Sequence, residues 1–307
     1  MDIDTYKKFV AKAREPEAAE QTVAYLTEHL GRILLPGERV LICFPYREKS
    51  SLSDLFEQAV RRCQAEPVIW ADYLWKTLLR QAFTDKVTAI IGPPLVLLGL
   101  MKLKRYNNTP LFIRRVITAG YPAPEWMIDG MVQGFDCEVS GCFGLEHSGI
   151  VAGFACGHSW GVHLRDQQYG VDIVDDAGKS LPEGFQGQIV LYPLDMPELR
   201  LPIGDTATLI RENCPCGCTA PRLINMCYGG LMDSELDTLA QHLMSWTSIL
   251  DCHVEKGPFG LELEIICFQG EKLPQLPTAA RMIVRPWDPN SDTPMIHASS
   301  LRIPEMT

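Results

Sequence analysis

The 307-residue chain carries a formal charge of −10, is 46% hydrophobic and contains 11 cysteines. A net acidic chain without a Lys/Arg-rich run is a poor partner for a nucleic-acid backbone or an anionic lipid surface. The longest apolar stretch, GPPLVLLGLM at 92–101, is too short to span a bilayer, and MDIDTYKKFVAKAREPE at the start has no signal-peptide core. The expectation is a cytoplasmic protein that meets small molecules or other proteins, its odd number of cysteines serving as free thiols or metal ligands.

In chain order, about twenty polar residues of helical character lead into EQTVAYLTEHLGRILLPGERVLICF. Runs rich in Val and Ile follow: RVLICF (39–44), PVIWA (67–71), VTAIIG (87–92), LFIRRVITAG (111–120) and DCEVSGC (136–142). Helical patterns lie between them, LSDLFEQAVRRCQ, YLWKTLLRQAF, LVLLGLMKLKRY and PEWMIDGMVQG. Ser51 with Asp54 reads as a helix N-cap box. Strands alternating with helices of this length predict right-handed crossovers and a parallel or mostly parallel sheet with both faces covered.

After residue 150 glycine and proline become frequent, and GQIVLYP (187–193) and TATLIRE (206–212) read as antiparallel strands. MDSELDTLAQHLMSWTSIL then predicts a helix and LELEIICF (261–268) a strand, followed by a Pro-rich tail. The expected fold class is α/β: a layered parallel or mixed sheet body with a β-rich subdomain and a small α+β C-terminal domain. The boundary is placed in MCYGGLMD, where Gly229 and Gly230 break the pattern, giving units 1–228 and 229–307.

RENCPCGCTAPRL (211–223) holds Cys214, Cys216 and Cys218 within five positions. Pro215 fixes its own φ and Gly217 tolerates a positive one, so the turn can direct two thiolates to one side. A metal site, redox chemistry and a plain turn are all compatible with that segment. Nothing in the sequence marks one thiol as having the lowered pKa of a nucleophile.

Four stretches resemble the adenylate-forming enzymes of the phenylacetate-CoA ligase group over roughly residues 22–268. ITAGYPAPEW (117–126) is similar to the adenine loop of that group, CFGLEHSG (142–149) to its YGLSE stretch, LRLPIGDTATLI (199–210) to its RYRTGD stretch, and ENCPCGCTAPR (212–222) to CPCGRTxPR. The resemblance implies an α/β body, a β subdomain and a lid-like C-terminal domain. It also implies an acid–thiol ligase that uses ATP to adenylate a carboxylic acid and then transfers the acyl group to coenzyme A.

The resemblance assigns site residues as well. Gly120, Tyr121 and Pro122 would flank adenine, Phe143 and Gly144 would form the next loop, and Asp205 would accept hydrogen bonds from the ribose hydroxyls. Cys156 and His163 match the C-x6-H spacing of the group, and with Cys214 and Cys216 they complete a Cys3His set for a structural zinc. His158 and Cys218 are reserve ligands. The magnesium glutamate is replaced by the pair Glu146-His147, which makes a Mg2+ site doubtful, since a hard cation prefers the carboxylate.

The glycine-rich phosphate loop of the group would precede this chain. REKSSLSD (47–54) has no glycine to replace it, and beyond Gly229 the only lysines are Lys256 and Lys272. These features predict reduced or lost ligase activity. The alternatives are a non-catalytic relative that binds a nucleotide, an acyl-CoA or a scaffold partner, and one subunit of a split enzyme whose partner protein supplies the phosphate loop. The acid would lie near Tyr121, Phe143 and Trp126.

Overall fold

A computed structural model describes residues 3–44, 51–70, 72–145, 148–157, 161–227, 234–279 and 281–296. Two helices, α1 (Ile3–Ala13) and α2 (Pro16–Leu30), precede the first crossover units. These run β1 (Arg39–Ile42), α3 (Leu52–Arg62), β2 (Glu66–Ile69), α4 (Trp75–Thr84), β3 (Ala89–Gly92), α5 (Pro94–Tyr106), β4 (Arg115–Ala119), α6 (Glu125–Phe135) and β5 (Glu138–Leu145). Each Val/Ile run becomes a strand and each helical pattern a helix. Ser51 stands at the N-cap of α3 in extended conformation, but without the side-chain bond of a capping box.

The chain then adds β6 (Ile150–Phe154), β7 (Val162–Leu164), β8 (Tyr169–Val174), β9 (Gln186–Pro193), β10 (Leu201–Ile210) and β11 (Arg222–Cys227). They extend the same sheet, which has 11 strands in the order β2-β1-β3-β4-β5-β6-β7-β11-β10-β9-β8. Pairing is parallel from β2 to β5 and antiparallel from β5 onward. The change at β5 follows from its connection. Only four residues separate β5 from β6, too few for a helical crossover, so the second strand must return alongside the first.

The parallel half is covered on both faces. One face packs α2 and α3 through Leu26, Leu30, Leu55 and Phe56 against Val40, Ile42 and Ile91. The other packs α4, α5 and α6 through Leu78, Leu97, Leu100 and Met131 against Leu41, Ile90 and Val116. The antiparallel half buries Leu164, Ile173, Ile189 and Leu201 beneath Tyr6, Phe9 and Val10 of α1.

The C-terminal segment forms α7 (Ser234–Met244), a hairpin of β12 (Ile249–Gly257) with β13 (Gly260–Cys267), and β14 (Arg281–Pro286) parallel to β13. Its apolar face is continuous with the core of α4 and α5, where Leu243, Ile249, Leu250, Ile265 and Trp287 join Trp75 and Leu97. Two buried polar ties cross this seam. Lys102 of α5 donates from Nζ to the carbonyls of Met244 at 2.5 Å, Ile249 at 2.6 Å and Trp246 at 3.0 Å. Met244 is the last residue of α7, where acceptors lack helical partners, Trp246 follows it, and Ile249 opens β12. Burial pushes the Lys102 ammonium down to about 7, and the three carbonyls replace the water it has lost. Asp251, fully buried, accepts from Trp75 Nε1 at 3.0 Å and from the Ile296 backbone at 2.8 Å. Among the described residues no helix is long and apolar enough to cross a membrane.

Candidate metal centre and ligand cleft

Two loops bring the Cys3His set together. Cys156 lies just after β6 and His163 within β7, while Cys214 and Cys216 occupy the connection from β10 to β11. Strands β6 and β11 are the neighbours of β7 on either side, so sheet order alone places the two loops together. Gly217 adopts φ +83° with open space where a Cβ would stand, and its backbone N–H donates to Cys214 O at 3.0 Å, closing the CPCG turn.

All four ligand atoms lie within 4.8 Å of one another. Cys156 Sγ is 3.6 Å from Cys214 Sγ, and Cys216 Sγ is 3.3 Å from His163 Nε2. A tetrahedral zinc with bonds of about 2.3 Å to sulfur and about 2.0 Å to nitrogen sets such atoms roughly 3.5 Å apart, so these residues fit that ion. His163 Nδ1 sits 3.2 Å from Ala220 O. Donation there leaves the Nε2 lone pair turned toward the three sulfurs, the outer-shell arrangement that orients a metal-binding imidazole. Without a metal the Cys216 thiol resists ionisation: burial and the neighbouring Cys214 and Cys156 push it up to about 11. Coordination to a divalent cation reverses that balance by deprotonating the thiol.

Cys218 is exposed, and its backbone N–H donates to Cys216 Sγ at 3.4 Å, a contact that positions a ligand. His158, Glu146 and His147 lie outside the described residues, as do the linker glycines Gly229 and Gly230 and the first half of REKSSLSD.

A cleft of about 720 Å³ opens beside this centre, past the carboxyl end of β4 and along β5. Three of the six nucleotide candidates, Tyr121, Pro122 and Phe143, line it. The structure separates the others. Gly120 is a turn residue at φ +106° outside the lining. Gly144 lies in β5 against Ile150 O, an approach that leaves no room for a Cβ. Asp205 belongs to β10, where the register against β9 shifts, and is 3% exposed and outside the lining. The ribose contact that the resemblance implies for Asp205 therefore does not fall in this cleft. Tyr121 offers less of a flat face than its sequence context suggests, because it is buried and its hydroxyl accepts from the Leu95 N–H at the start of α5, at 3.1 Å.

Other lining residues lay outside the sequence reading. Thr118 stands near the carboxyl end of β4, the position where open α/β sheets bind ligands, so the strand pattern held that signal, whereas Ser140 is the third residue of β5. Glu125 and Asp129 of α6, one turn apart, and Asn225 of β11 carry no comparable mark. Ala155, Gly157, Gly161 and Val162 also line the cleft, so the loop that carries Cys156 and His163 is one of its walls. Cys142, on the floor, is fully enclosed, and burial pushes its thiol up. Trp126 is not part of the lining.

No protein-family description and no curated protein matches the chain. Solved structures do. A 2-hydroxyisobutyryl-CoA ligase in the postadenylation state with R3-HIB-AMP superposes with a TM-score of 0.63 at 17% identity, covering 89% of this chain and 67% of that one. The same ligase in an open conformation with 2-HIB-AMP and CoA gives 0.58 at 17% identity, over 80% of this chain and 59% of that one. A benzoate CoA ligase from Burkholderia xenovorans LB400 gives 0.53 at 14% identity, over 92% and 65%. The fold is that of the adenylate-forming CoA ligases. This chain spans about two thirds or less of the length of those neighbours.

Proposed function

We propose that this chain is an adenine-nucleotide-binding member of the adenylate-forming ligases, of the phenylacetate-CoA ligase kind, built around a structural zinc. Its reaction class is activation of a carboxylic acid by ATP and transfer to coenzyme A. The observation that carries the reading is the convergence of Tyr121, Pro122 and Phe143 on one cleft, at the carboxyl end of β4 and along β5 in a sheet of this fold. Fold likeness alone would not carry it, since function belongs to the site. In this reading the nucleoside and the acyl group share the cleft. Zinc on Cys156, His163, Cys214 and Cys216 takes no part in the chemistry, because four protein ligands leave no open position for water or substrate. It fixes the two loops in place.

One observation favours the second reading, a nucleotide-binding relative with low intrinsic activity that draws its phosphate contacts from a partner protein. Among the described residues the cleft lining holds two carboxylates, Glu125 and Asp129, and no Lys, Arg or His. Phosphoryl and adenylyl transfer rests on stabilising negative charge in the transition state, which two carboxylates oppose. Incubating the purified chain with ATP, magnesium and a panel of carboxylic acids separates the readings. Pyrophosphate release at roughly one per second, an ordinary turnover, establishes the ligase. Nucleotide binding without release establishes the relative, and neither outcome defeats both.

A further inference from the structure

We propose that Asn225 is the residue through which this cleft reads the uncharged nucleoside part of its ligand. The assignment rests on the nucleotide reading above and adds a residue that the sequence did not single out.

Asn225 is exposed, lines the cleft and has φ +50° inside β11. The left-handed region is costly for a residue with a side chain, and Gly is the usual occupant. The register explains why the backbone is there. Thr206 and Thr208 face Cys227 and Ile224, so two steps along β10 oppose three along β11. One extra residue is accommodated, and such bulges re-aim side chains beside binding sites.

The bulge is also held in place. Gln186 of β9 donates from Nε2 to Thr206 Oγ1 and to Asn225 O, both at 3.1 Å, and its Oε1 accepts from Thr208 Oγ1 at 2.9 Å. Every hydrogen on that amide nitrogen is used, so three strands fix the Asn225 main chain. Gly would meet this φ as well, and Asn is the side-chain-bearing residue that tolerates it best, so the φ leaves open why a carboxamide stands here. Asn brings a carboxamide with donors and an acceptor side by side. It carries no charge, and across the cleft stand Glu125 and Asp129 rather than a cation. A base edge or a ribose offers neutral donors and acceptors to match, whereas a phosphate does not.

The substitution Asn225→Gly separates binding from stability, since it keeps the backbone conformation and removes only the carboxamide. Titration calorimetry with adenosine and with AMP is expected to show both dissociation constants rising roughly fivefold, the worth of one hydrogen bond, with a melting midpoint equal to or above that of the parent. Unchanged affinities overturn the assignment and leave the nucleotide reading standing. Weaker binding of AMP alone places the contact at phosphate and overturns it too. A lowered midpoint makes the residue structural and likewise overturns the assignment. If the parent chain binds neither adenosine nor AMP, the nucleotide reading fails and this assignment falls with it.

Discussion

The seam between α5 and the C-terminal unit and the knuckle between β7 and β11 solve the same problem, holding a late segment of chain on the main sheet, by opposite means. At the seam, Leu243, Ile249, Leu250, Ile265 and Trp287 bury against Trp75 and Leu97, and the polar ties of Lys102 and Asp251 lie inside that apolar contact. At the knuckle, β7 is three residues long and pairs through two residues with each neighbour. So short a strand buries little surface of its own, and two register pairs are a weak hold. Where burial is large the chain needs no cross-link, and where it is small four ligand residues converge instead.

Removing the metal is the sharpest way to test this difference. The double variant Cys214→Ser, Cys216→Ser is expected to lose its zinc altogether, from about one ion per chain to none, because two of four ligands are gone. Hydrogen exchange should quicken in residues 153–164 and 212–223 and stay unchanged in 243–268. The stability loss should exceed that of the other substitutions here, at about 4 kcal/mol or more, since binding at such a site is folding energy. Zinc retained by the double variant would rule out the cross-link.

Lys102→Met should reverse the pattern. It removes the Lys102 donor from three carbonyls, of which Trp246 O keeps the Ile249 N–H, at a cost of about 3 kcal/mol read from denaturant unfolding. Exchange should then quicken at 243–268 while metal content stays at the parent level. A loss below about 1 kcal/mol would mean that apolar burial alone holds the seam. Gly99→Ala is the mildest probe. A Cβ on Gly99 would collide with the ring of Trp75, the residue that also grips Asp251. Overpacking of this kind costs roughly 1–3 kcal/mol, and the midpoint shift should appear with no change in zinc.

Much of this contrast could be read in the sequence, though unevenly. The strands β1 to β5 are legible because Val and Ile cluster between helical repeats, a signal that burial on both faces enforces. The Cys3His set comes from the family resemblance, since the CPCGC spacing alone leaves a metal, redox chemistry and a plain turn open. β7 is not, since three residues carry no periodicity, and β12 is hidden because ILDCHVEKG follows a helical pattern with only a short turn at Trp246–Ser248 to divide them. That the β-rich part would extend the main sheet rather than form a layer of its own depends on pairing between distant strands, which local pattern does not encode. The cleft divides likewise: Tyr121 and Pro122 come from the loop after β4 and Phe143 from β5 itself, whereas Asn225 needed a bulge that only register reveals.

Strand β7 has one more property, which follows from the alternation of side chains along any strand. Val162 lines the cleft and His163, the next residue, belongs to the Cys3His cluster. A single three-residue strand therefore belongs to both sites, and anything that fixes one of its faces fixes the other. Thermodynamic reciprocity then applies: by whatever factor zinc tightens a ligand in the cleft, that ligand tightens zinc by the same factor. On the proposed zinc and nucleotide readings, the knuckle becomes a second variable in every binding curve, and affinities compared between preparations should agree only when their zinc content does.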